Sequence, residues 1–123
     1  MVVLVCGSRT WCDRDLMMEH LENLSSHSED GAVTIIHGGA NGADQMAHGI
    51  AMGLGYSYRA YPADWVRHGR SAGWIRNQQM LDEGKPDIVL AFWDGKSRGT
   101  ADMIRRARKA KLPVEIIKPR RLF

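Results

Sequence analysis

Apolar residues along this chain keep two rhythms that alternate with each other. Unbroken runs at Val2–Cys6, Thr34–His37 and Ile88–Phe92 are short, β-branched or aliphatic and lack polar alternation, which predicts strands covered on both faces, as in parallel sheets. Between them the apolar positions fall at helical spacing: Leu16, Met17, Leu21 and Leu24; then Ala43, Met46, Ala47, Ile50, Ala51 and Leu54; then Ala101, Ile104 and Ala107. A further helix is predicted from about Ser71 to Glu83, with Ile75 and Met80 inward, and two shorter strands at Ser57–Tyr61 and Val114–Ile117. The punctuation agrees with this division. Asp13 is placed to cap the first helix, Ser25–Gly31 is a polar loop, Gly53–Gly55 and Gly84-Lys85-Pro86 stop two helices, and Pro62 ends a strand. Asp64–Ser71 reads as an irregular functional loop, too polar and broken for a core element. Strands alternating with helices predict one α/β domain over residues 1–123, a parallel sheet of about five strands with helices on both faces.

In such sheets ligands bind outside the carboxyl ends of the strands, at the switch point of the winding. Four segments follow strands and converge on that edge: Gly7-Ser8-Arg9, His37–Asp44, Pro62–Ser71 and Trp93–Thr100. The second carries three glycines in five residues, Gly38, Gly39 and Gly42 with Ala40 and Asn41 between them, and opens a helix. That arrangement suits either a phosphate cradle of free backbone N–H groups or a tight turn with no ligand. Ser97, Gly99 and Thr100 open another helix and offer hydroxyls and N–H groups to an anion, while Arg9 and Arg76 offer planar guanidinium forks. Asp44, at the opening of its helix, can cap it or accept hydrogen bonds from ribose hydroxyls. Trp11, Trp65, Trp74 and Trp93 all lie in or beside these loops, where an indole either packs beneath the loop or stacks on a base.

Composition narrows the classes. With 44% apolar and 25% charged residues the chain has the make-up of a globular domain. No run approaches the roughly 18 apolar residues of a membrane span, and no secretory signal precedes the first strand, so no membrane partner and a cytoplasmic location are expected. Cys6 and Cys12 suggest neither a disulfide framework nor a zinc site, and the five histidines show no ligand spacing, so no metal is expected. From Lys96 onward ten Lys or Arg stand against Asp102 and Glu115. Most of them fall on one helix and on the tail Lys118–Phe123, as a solvated face or as a surface for nucleic acid. A nucleotide-hydrolysing P-loop, a Gly-x-Gly-x-x-Gly turn and a Gly-x-Ser-x-Gly elbow are all missing.

Taken in order, Gly7-Ser8-Arg9…Trp11, His37-Gly38-Gly39-Ala40-Asn41-Gly42-Ala43-Asp44, Pro62-Ala63-Asp64-Trp65, Gly73…Arg76-Asn77…Met80 and Ser97-Arg98-Gly99-Thr100 resemble the YspA-like (DUF2493) branch of the SLOG superfamily. That superfamily includes DprA/Smf and the LOG phosphoribohydrolases, and its small members occur in bacteria and their phages. The resemblance implies a Rossmann-like fold binding a nucleotide or nucleotide-derived ligand, such as a nucleoside phosphate, ADP-ribose or NAD. Gly38–Asp44 and Ser97–Thr100 would be its phosphate or ribose loops and Arg76-Asn77 the facing helix, with no other cofactor evident. Two further functions are implied. One is LOG-like cleavage of a nucleoside 5′-monophosphate at its N-glycosidic bond, in which Arg76 matches a catalytic arginine and Asp44 would supply a carboxylate. The LOG glutamate position, in Gly-Thr-x-x-Glu, is Met103 here. The other is DprA-like binding of nucleic acid through the basic helix and Arg120-Arg121. Superfamily relatives are often dimers, and Met17-Met18 marks a candidate face for a homodimer.

Overall fold

A computed structural model describes residues 1–120. Its five strands are β1 (Val2–Gly7), β2 (Thr34–His37), β3 (Ser57–Ala60), β4 (Ile88–Phe92) and β5 (Val114–Ile117). They form one sheet in the order β3-β2-β1-β4-β5, every neighbouring pair parallel. β1 lies at the centre, with Val3 opposite both Ile35 and Ile88, so the winding reverses at β1.

The helices are α1 (Arg14–Leu21), α2 (Leu24–His27), α3 (Ala43–Leu54), α4 (Trp65–His68), α5 (Ala72–Gly84) and α6 (Arg98–Lys109), with a 3-10 turn at Gly69–Ser71. Strand alternation sorts the core into two layers. Val3, Val5, Ile35, Leu90 and Phe92 point to the side covered by α1 and α3, whose Leu16, Met17, Leu21, Ala47 and Ile50 meet them. Leu4, Cys6, Ile36, Val89 and Ala91 point to the other side and meet Met80, Leu81, Met103, Ile104 and Ala107 of α5 and α6. The result is the Rossmann-like three-layer domain that the alternating pattern and the motifs imply.

Local signals account for most of the boundaries. Asp13 caps α1, its Oδ1 accepting the N–H of Leu16 at 3.0 Å, and Gly55 ends α3 in the left-handed conformation at φ 74°. Four expectations are corrected. Asp64–Ser71 is ordered as α4 and its 3-10 extension, because Asp64 caps Arg67 at 3.0 Å. Ile75 faces solvent at 43% exposure, since the buried stripe of α5 runs through Ala72, Asn77, Met80 and Leu81. Ala101 is also exposed, and Met103 takes its place in the stripe of α6. Met17 is fully buried inside the chain, so of the Met17-Met18 pair only the partly exposed Met18 is left to a partner face. Of the basic tail, Lys118–Arg120 is exposed, Arg120 pairs with Asp13 at 2.8 Å, and Arg121 to Phe123 lie outside the described residues. Among the described residues no helix is long and apolar enough to cross a membrane.

Candidate nucleotide-binding groove

The segments following β1, β2 and β4 meet above the sheet, and Ser8 is their joint. Its N–H donates to Phe92 O at 2.9 Å, its carbonyl accepts from Trp11 and Ala43 at 3.1 Å, and its hydroxyl accepts the N–H of Asp94 at 3.0 Å. Gly42, at φ 75°, lies against the same joint, where a Cβ would stand 2.4 Å from the carbonyl oxygens of Ser8 and Arg9. Only glycine fits both that conformation and that gap. Ser8 and Gly42 thus hold the loops together rather than line the groove.

The glycine loop differs from a cradle of free amides. The Oδ2 of Asp44 accepts the N–H of Gly38 at 3.1 Å and of Ala40 at 3.2 Å, and His37 Nδ1 accepts that of Gly39 at 3.0 Å. A carboxylate of the protein therefore already occupies the position an external anion was expected to take. Burial pushes the Asp44 carboxyl up to about 6, against the opposing pull of the Ala40 N–H, Arg76 and the Gly38 N–H. His37 is buried, and burial, with His48 and Arg76 nearby, holds its imidazole down at about 4. Because Nδ1 accepts from Gly39, the ring proton belongs on Nε2, which donates to His48 Nδ1 at 2.8 Å.

Across the groove stands α5. Arg76 donates through Nη1 to the carbonyl of Gly38 and through Nε to Asn77 Oδ1 at 3.1 Å. Desolvation lowers its guanidinium below the ordinary arginine range, opposed by Asp44. Asn77 passes the connection to α6, its Nδ2 donating to Gly99 O at 3.2 Å and to Asp102 Oδ2 at 3.0 Å. Asp102 also accepts from Arg105 and Arg106, and Arg106 reaches Gln78 at 3.1 Å. Arg76 and Asn77 thus bind both walls and set the distance between them.

The opening of α6, like that of α3, has no side-chain cap among the described residues, but the first N–H of α3 is taken by Ser8 O. Asp94 Oδ1 accepts from Lys96 and Ser97 at 2.8 and 3.1 Å and shapes the approach. The Thr100 hydroxyl donates to Ser97 Oγ at 3.1 Å. Among the described residues no side chain caps the first turn, so its amides and the positive end of the helix dipole face outward. Before this turn lies a cavity of about 300 Å³ whose walls include Arg9, Arg98, Asp44, Arg76 and Asn77, with Cys6, Gly7 and Met80 beneath. A second cavity of about 310 Å³ shares Arg9, Ala40 and Arg76 with it and runs on past Gly39 and Asn41 to Pro62, Ala63 and Trp65. The two adjoin at these shared residues, as the two halves of the candidate groove.

The structure therefore brings together Gly7, Arg9, Gly38, Gly39, Ala40, Asn41, Asp44, Arg76, Asn77, Ser97, Gly99 and Thr100. Trp11 stands apart. It is 6% exposed, packs edge-on against Phe92 at 5.3 Å between centroids, donates from Nε1 to Asp13 O, and borders a separate cavity of about 420 Å³. Cys6, Met80 and Arg98 were not singled out for the site from the sequence. Cys6 reads as core, whereas Met80 and Arg98 each stand within a motif already named, Met80 also as an inward residue of its helix. Desolvation raises the Cys6 thiol far above the usual cysteine range, so this floor is neutral. Met103 is fully buried in the core, and Asp102 is held by Asn77 and two arginines. Among the described residues no three His, Cys, Asp or Glu side chains gather as metal ligands.

A parallel sheet that reverses at β1, with a groove over the reversal, defines a Rossmann-like domain with a candidate site at its switch point. The family model of the YspA, cpYpsA-related SLOG family matches residues 1–68, and the chain belongs to that family. It is 41% identical over 117 residues to the Gene 61 protein of Mycobacterium phage D29, a match covering 91% of this chain and 92% of that one. Among solved structures, DNA processing protein A (DprA) of Streptococcus pneumoniae superposes with a TM-score of 0.76 at 19% identity, covering 98% of this chain and 51% of that one. The chain thus spans about half the length of DprA. The Moco carrier protein of Chlamydomonas reinhardtii has a TM-score of 0.60 at 16% identity, over 96% of this chain and 76% of that one. These two likenesses are of fold.

Proposed function

We propose that the groove binds a nucleotide or nucleotide-derived ligand, a nucleoside phosphate, ADP-ribose or an NAD-like molecule, with a phosphate at the opening of α6. The observation that carries this reading is the first turn of α6, uncapped by any side chain and bearing Arg98, which lines one cavity together with Arg9 from the loop after β1. Backbone N–H groups, a helix dipole and two guanidinium cations favour the same charge at the same place. The glycine loop's part is then that of a wall. Asp44 and Asn77 border the phosphate position, where polar groups can meet a ribose.

Calorimetry with AMP, ADP-ribose and NAD tests the reading. Millimolar or tighter binding that weakens at least about tenfold in Arg98→Ala, the loss of one charge-assisted contact, supports it. No binding of any of the three by the intact chain overturns it.

A second reading, cleavage of the N-glycosidic bond, has one observation in its favour. Asp44, with its carboxyl pushed up to about 6, borders the same cavity as Arg76, and an acid tuned near neutrality suits proton transfer. Release of free adenine from AMP, abolished in Asp44→Asn, would carry it, and no release would end it. The nucleic-acid reading draws on α6, where Arg105 and Arg106 are both engaged by Asp102.

A further inference from the structure

The groove has a second half that the phosphate does not need. It extends from Arg9 and Arg76 along the glycine loop to Trp65, and the chemistry of its lining differs from that around α6. There the walls are backbone, Pro62, Ala63 and an indole, with Asn41 bringing an amide that both donates and accepts. Trp65 is 53% exposed, although an indole of that size ordinarily buries most of its surface. The helix that carries it is fixed at its start by the Asp64 cap at 3.0 Å, and the ring end lies over Gly73 of α5, where an added Cβ would stand 3.6 Å away. The opposite wall is fixed too, since Gln45 Nε2 donates to Gly39 O at 3.0 Å and Arg76 to Gly38 O. Trp74 is comparably exposed and lines a different surface hollow with Ile75.

We infer that this half is a base subsite, in which the planar heterocycle of the same ligand stacks on Trp65 and Asn41 meets its polar edge. The inference rests on the phosphate reading, because one ligand is to span both halves. Stacking on an indole suits any base, since each has a π-face, while a ribose phosphate alone would leave Trp65 untouched. The ligand class is therefore a base-bearing nucleotide rather than a sugar phosphate.

Two probes separate this inference from the reading beneath it. Ribose 5-phosphate and AMP are titrated into the intact chain, Trp65→Ala, Trp65→Phe and, as a control, Trp74→Ala. AMP is expected to bind on the order of 10- to 100-fold more tightly than ribose 5-phosphate and to quench indole fluorescence. Trp65→Ala should remove that advantage and leave ribose 5-phosphate unchanged, Trp65→Phe should keep part of it, and Trp74→Ala all of it. Equal affinity for the two probes, or an AMP advantage that survives in Trp65→Ala, overturns the base subsite and leaves the phosphate site standing. Binding of neither probe overturns the base subsite, and the phosphate reading falls with it when ADP-ribose and NAD fail to bind as well.

Discussion

Asp44 accepts the backbone N–H of Gly38 at 3.1 Å, from one turn of α3 back to the end of β2, and takes that of Ala40 on the same oxygen. The loop is closed by its own carboxylate. Asp44→Ala leaves two N–H groups without a partner and should cost about 2–4 kcal/mol, read as a lower urea midpoint. Asp44→Asn keeps an acceptor oxygen and should stay within about 1 kcal/mol of the parent at pH 7. Equal midpoints for the alanine variant and the parent would mean that the loop holds itself.

The same carboxyl and His37 oppose each other in acid. Asp44, raised from 3.8 to about 6, holds its proton better folded than unfolded; its contribution is complete below about pH 4 and is lost as pH rises through 6. His37, lowered from 6.5 to about 4, resists protonation when folded, so its contribution is present above pH 6.5 and is lost as pH falls towards 4. Each amounts to something on the order of 3 kcal/mol. Between pH 4 and 6 the two slopes cancel in the parent, and stability should be nearly flat. Asp44→Asn unmasks the histidine, so its stability should climb with pH over that window. A parent and variant with parallel pH profiles, by urea titration at each pH, would rule the opposition out.

Two glycines of one loop should respond differently to alanine. Gly39 and Gly42 share positive φ, 74° and 75°. At Gly39 an added Cβ meets nothing within 4 Å, whereas at Gly42 it meets two carbonyl oxygens at 2.4 Å. Gly39→Ala should cost about 1–2 kcal/mol, the conformational term alone, and Gly42→Ala about 3 kcal/mol or more. Thermal melts of the two variants decide this, and equal shifts would contradict it.

Met103→Glu should not restore a glutamate to the groove. The side chain at 103 is buried against the sheet among Leu4, Val89 and Ala107, and a carboxylate there costs several kcal/mol unless it is protonated. The expected result is a loss of about 3 kcal/mol or more with no release of adenine from AMP. A stable variant that gained hydrolysis would show that α6 can rotate.

Much of the fold was legible because burial wrote it directly. Val2–Cys6 and Ile88–Phe92 are apolar throughout since β1 and β4 are covered on both faces, and the spacing in Ala43–Leu54 follows from one side of α3 facing the sheet. Short polar elements were not legible: α4 depends on the Asp64 cap and on contact with α5, and carries no apolar period. The stripe of α5 misled for another reason, as the helix buries the polar Asn77 to join its neighbour and leaves Ile75 outside. The loops that converge were readable from strand ends and glycines. Which of their amides are already engaged was not, because the Asp44 and His37 acceptors are set by side-chain rotamers that no spacing encodes.

The central place of β1 has a consequence for how the groove comes into being. Its walls come from residues 9, 40, 76 and 98, on both sides of the strand made first, and β1 has no second neighbour until β4 is in place. A fragment ending near residue 68 would hold three strands and the whole glycine loop, yet lack α5, α6 and every contact that spaces the walls. If the groove binds as proposed, its affinity is therefore an all-or-none reporter of complete folding, which separates it from sites that sit on a single hairpin or helix pair.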